Sequence, residues 1–171
     1  MEEQPKPSTN RRGFGRSIAA AALAGATGVS AARARVPEER AWVTHLSTLE
    51  IGKPVSFRYP IDHAAMVVRL AEPAKNGIGP DHNIVAFHIA CPHMGCPLAV
   101  ASAAHLAKGI FGPCSCHGST FDLGANGRQL YGRASQDLVR VVLEIKGDYI
   151  FATGLIGLPF GEAPPTAEVT A

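Results

Sequence analysis

Residues 91–96 read Cys-Pro-His-Met-Gly-Cys, and residues 114–119 read Cys-Ser-Cys-His-Gly-Ser. These two stretches hold all 4 cysteines of the 171-residue chain, and each adds a histidine. Both are rich in Gly and Pro, which punctuate rather than propagate regular structure. Strand-like runs border them, Ile84 to Ala90 before the first and Ile110 to Phe111 before the second. Working outward, Val55 to Tyr59, Ala65 to Leu70 and Asn83 to Ile89 are β-branched or aromatic runs of strand length. Ala71 to His82 is a Pro/Gly-rich loop. Leu138 to Ile145 and Tyr149 to Thr153, separated by Lys146-Gly147-Asp148, form a hairpin pattern. Leu98 to Lys108, between the two loops, fits a helical turn or a meandering insert equally well. With 18 Gly, 13 Pro and 46% hydrophobic residues, the chain reads as one turn-rich, all-β domain with a packed core.

The chemistry of the loops narrows to three possibilities. A closed zinc site uses Cys and His but takes four ligands, and six candidates are present. Two plain disulfides suit an oxidising compartment but leave His93 and His117 without a purpose. In the third, two Cys and two His hold a [2Fe–2S] cluster and the other two Cys form a disulfide, which employs all six residues.

The double motif Cys-x-His-x-Gly-Cys and Cys-x-Cys-His-Gly-Ser resembles the Rieske signature. The resemblance implies that Cys91 and Cys114 bind one iron, and His93 and His117 the other. It also implies a disulfide between Cys96 and Cys116. The implied fold is an all-β Rieske iron–sulfur domain. Its antiparallel β-sandwich or partial-barrel base carries an inserted cluster-binding subdomain at about residues 90–131. Two neutral imidazoles in place of thiolates remove negative charge from the cluster, so such clusters have potentials of roughly −150 to +300 mV. The histidines are the exposed edge in this family, where partners dock. Ser119 stands where the family has a serine able to donate to a bridging sulfide. Phe121 stands where quinol-oxidising members carry a tyrosine that donates to a ligand sulfur, so a lower potential than theirs is expected.

Within the family, the chain is most similar to the small subunit of arsenite oxidase. The matching strings are Cys91 to Leu98, Phe111 to Asp122, Gly132 to Leu138 and Val142-Leu143-Glu144. That likeness implies a molybdopterin-containing large subunit as partner. The chain would be an electron-transfer subunit of an oxidoreductase, passing electrons to cytochrome c or an azurin-like copper protein without binding arsenite itself. The alternative is the Rieske subunit of a quinol–cytochrome c reductase. Phe121 and the proline-free stretch Tyr131 to Asp137 argue against it.

The amino terminus reads as an address. Asn10 to Arg16 carries the Arg11-Arg12 pair, Ser17 to Ala32 is small and apolar, and Ala32-Arg33-Ala34 is a cleavage pattern. Residues 1–34 resemble a twin-arginine-type signal peptide, which implies a periplasmic location for residues 35–171. Membrane association is expected only if this leader, short and weak as a spanning helix, is retained. Of 16 basic residues, five precede Ala34, so the remaining chain has 11 basic and 12 acidic residues. No basic stripe is left for nucleic acid. His45, His63, His82, His88 and His105 read as surface or satisfied core residues, and no nucleotide or hydrolase motif is present. Glu162 to Ala171 reads as a surface tail.

Overall fold

A computed structural model describes residues 40–161. Residues 1–34, read above as a signal peptide, and Glu162 to Ala171, read as a tail, lie outside them. The strands are β1 (Ala41–His45), β2 (Val55–Arg58), β3 (Ala64–Arg69), β4 (Ile84–His88), β5 (Ile110–Phe111), β6 (Thr120–Asp122), β7 (Arg128–Tyr131), β8 (Arg140–Lys146) and β9 (Tyr149–Ile156). One five-residue helix, α1 (Ala103–Ala107), falls within the stretch whose pattern was undecided. Ser102 caps it by accepting from the His105 amide at 3.2 Å.

Six strands form an antiparallel sheet in the order β1-β9-β8-β4-β3-β2, curved into a nearly closed barrel. The other three form a small sheet, β5-β6-β7. All of the smaller sheet and α1 lie between β4 and β8 in sequence, so the fold is the all-β base with an insertion. The β8–β9 hairpin turns through Gly147-Asp148, with Gly147 at φ +62° where a side chain would be strained.

Strands β3 and β4 explain how the insertion is held. They are buried along nearly their whole length rather than on alternate residues. Successive side chains point to opposite faces, so each strand feeds two cores. Ala65, Val67, Ile84 and Ala86 join Val43, Tyr59, Val141 and Ile150 inside the barrel. Met66, Val68, Val85 and Phe87 face the insertion and meet Leu98, Leu106, Phe111, Phe121 and Leu123. Each fully buried aliphatic or aromatic side chain contributes about 1.5–3 kcal/mol. The second core therefore fastens the small sheet to the base, and Cys91 and Cys114 belong to it.

Candidate metal centre

The two cysteine loops have the same backbone closure despite different ligand spacing. In the first, the Cys91 amide donates to the Cys96 carbonyl and the Gly95 amide to the Cys91 carbonyl, both at 2.8 Å. In the second, the Cys114 amide donates to the Ser119 carbonyl and the Gly118 amide to the Cys114 carbonyl, again at 2.8 Å. Gly95 and Gly118 thus hold equivalent places, at φ +74° and +71°, which only glycine adopts freely. The first loop stands on the end of β4, with the Leu98 amide donating to the Ile89 carbonyl at 2.7 Å. The second stands on β5 and β6, where Phe111 pairs with Phe121. A parallel bridge, Val100 to Gly112, and a disulfide, Cys96 to Cys116, join the two loops.

This closure sorts the six candidate ligands by environment. Cys91 and Cys114 keep free thiols and are buried, at 1% and 3% exposure. His93 and His117 reach outward, and their rings meet edge to face with centroids 4.6 Å apart. Their Nδ1 atoms face each other at 3.2 Å. Two imidazole nitrogens bound to one tetrahedral ion at about 2.0–2.1 Å stand about 3.4 Å apart, so the observed pair fits one metal ion. The sulfurs of Cys96, Cys114 and Cys116 also lie within 4.8 Å of one another. Two of these are locked in the disulfide and have no thiolate to offer a metal, so of this group only Cys114 remains a donor. The donor set that fits is two buried thiols on the inner side and two imidazoles on the outer side. Cys91, His93, Cys114 and His117 would hold a mixed-ligand cluster; when bound, it supplies a centre that takes up and releases one electron.

Supporting residues close around this set. Ser119 is fully buried, and its Oγ accepts from the Ala134 amide at 3.1 Å. The hydroxyl hydrogen is left to be donated elsewhere. Phe121 is buried in the same core as Cys91 and Cys114 and brings no hydroxyl. Gly132 (φ +94°) presses on the second loop so closely that a Cβ there would lie 2.3 Å from Ser119 Cα. On the first loop, the ring of Phe160 lies against Gly95. Neither Gly132 nor Phe160 was singled out in the sequence as a partner of these loops, and no local spacing signals such long-range contacts. Of the remaining histidines, His82 and His105 are exposed. His88 is buried, with Nε2 donating to the Tyr59 carbonyl at 2.7 Å and His63 stacked on its ring at 5.4 Å. His45 pairs with Asp148 at 3.3 Å.

A barrel base, an inserted three-stranded sheet and two Cys/His loops tied by a disulfide define an iron–sulfur electron-transfer protein. The family described as "Rieske [2Fe-2S] domain" matches residues 39–141, and the chain belongs to it. It carries one Rieske-type [2Fe–2S] cluster. The chain is similar to the iodate reductase subunit IdrB of Pseudomonas sp. (strain SCT), 40% identical over 86% of this chain and 77% of the relative. It is 42% identical to the subunit of the same name from Denitromonas iodatirespirans, over 68% of this chain and 62% of that one. Among solved structures, the soluble domain of Rieske protein II (soxF) from Sulfolobus acidocaldarius superposes with a TM-score of 0.59 at 21% identity. That match spans 69% of this chain and 78% of the other and shows the shared fold.

Proposed function

We propose that this chain is the electron-relay small subunit of a two-subunit oxidoreductase whose large, molybdopterin-containing subunit acts on an oxyanion. The likeness to the iodate reductase subunit over most of both chains carries this reading. Iodate is accordingly the first candidate substrate: the cluster, held by Cys91, His93, Cys114 and His117, would feed electrons one at a time to the large subunit. Arsenite is the second, supported by the strings Cys91 to Leu98, Phe111 to Asp122 and Gly132 to Leu138, and it reverses the direction of flow. In either case the small subunit binds no substrate. Cytochrome c or an azurin-like copper protein stands at the other end of the relay. The leader, with Arg11-Arg12, directs the folded, cluster-loaded chain to the periplasm.

The test is made on the complex purified from its native source. Anaerobic iodate added to the dithionite-reduced complex is expected to abolish the reduced-cluster EPR signal. Arsenite added to the oxidised complex generates that signal if the second reading holds. A complex that holds b- and c-type haem and no molybdenum would overturn both in favour of a quinol reductase.

A further inference from the structure

The two loops are equivalent in backbone but not in cover. A Cβ built on Gly118 would meet nothing within 4 Å, whereas one on Gly95 would lie 2.5 Å from Cδ1 and 2.6 Å from Cε1 of Phe160. The same contrast runs through both loops. His93, Gly95 and Cys96 are half-buried, while Cys116, His117 and Gly118 are exposed. Phe160 arrives on the short segment that follows β9. Pro159 beside it is buried, and Gly157 packs near Val139, with a built Cβ 3.3 Å from Val139 Cγ2. Phe160 itself remains 49% exposed, so it covers the loop rather than filling the core. Gly132 and Ala134 hold the second loop from the Ser119 side and leave its Gly118 position open.

We propose that Phe160 is a positioning residue that caps the first cluster loop, fixing its backbone at Gly95 and excluding water from the His93 side. The second loop is then the open edge of the centre. The inference rests on the reading that Cys91, His93, Cys114 and His117 hold the cluster. Its physical consequence is directional. Reduction adds negative charge to the centre, and water stabilises that charge, so a cap that excludes water holds the potential down. An apolar cap also restricts a loop whose glycine would otherwise move freely.

The full-length, cluster-loaded chain is compared with its Phe160→Ala and Phe160→Leu variants. Reduction potential is read by voltammetry and cluster loss in air by the decay of visible absorption. Phe160→Ala is expected to raise the potential and to bleach several-fold faster, with Phe160→Leu close to the wild type on both. Gly95→Ala should cost more cluster in the presence of Phe160 than in Phe160→Ala, because the added Cβ then has a ring to meet. If Phe160→Ala assembles no cluster, retention in Phe160→Leu supports the cap, and loss in both variants overturns it. Wild-type potential and bleaching in Phe160→Ala also overturn it. A wild-type chain that gives no Rieske signal would instead remove the ligand reading beneath the proposal.

Discussion

Replacing Ser119 by Ala removes one oxygen with two separable effects. The Oγ accepts from the buried Ala134 amide at 3.1 Å, so its loss leaves that N–H without its acceptor. An unsatisfied buried donor costs about 1–3 kcal/mol of stability. The hydroxyl hydrogen is not used in that bond and is free to point at the cluster. A hydrogen bond to a charged acceptor is worth about 1.5–3 kcal/mol and to a neutral one about 0.5–1.5, so the reduced state is favoured by about 1 kcal/mol. For one electron, a tenfold change in equilibrium, about 1.4 kcal/mol, corresponds to about 59 mV, which gives a fall of about 40 mV on losing the hydroxyl. Voltammetry on the cluster-loaded Ser119→Ala chain reads the potential, and a melting curve on the same sample reads the stability. An unchanged or raised potential in a variant that retains its cluster would show that the hydroxyl is not directed at the centre.

Other perturbations follow from the same geometry. Replacing Cys96 and Cys116 together by Ser opens a bond spanning 20 residues and should cost about 3 kcal/mol on the loop-entropy estimate. Melting with and without reductant checks it, since reductant should shift the wild type and not the variant. Gly132→Ala would drive a Cβ to 2.3 Å from Ser119 Cα at φ +94°, costing on the order of 3 kcal/mol or more and most of the cluster. Gly147→Ala, at φ +62° but with nothing within 4 Å, should cost about 1 kcal/mol, and iron content distinguishes the two. The Asp148 carboxyl is held below the usual carboxylate range, chiefly by the Ser47 hydroxyl and further by the Ser47 amide and His45, with desolvation opposing. A depressed folded value adds stability above the unfolded pKa and loses it as pH falls through the folded one. The stability gap between wild type and Asp148→Asn should therefore narrow on acidification below the carboxylate range; a gap constant with pH would refute this.

Strands were legible where composition and burial agree. Val55–Arg58, Ala64–Arg69 and Ile84–His88 lie within or one residue from the runs read from β-branched content. The double burial of β3 and β4 made those runs continuous, which is why they stood out. Strands β6 and β7 did not, because Thr120–Asp122 and Arg128–Tyr131 are short and bury only Phe121 fully, and their pairing depends on the insertion around them. The undecided stretch, Leu98 to Lys108, contains a helix of only five residues, too short for a periodic signal, with Leu106 alone buried. At the site, the six Cys and His residues were plain because ligand chemistry is written in residue type and spacing. The contacts of Phe160 with Gly95 and of Gly132 with Ser119 were not, because they join segments distant in sequence through shape alone.

The most direct measurement is EPR, with nitrogen hyperfine resolution, on the anaerobically reduced full-length chain and its His93→Ala and His117→Ala variants. A Rieske signal coupled to two imidazole nitrogens, absent from both variants, is the predicted result. A wild-type chain with no iron signal and zinc in the loops, or a signal that survives both substitutions, would contradict it.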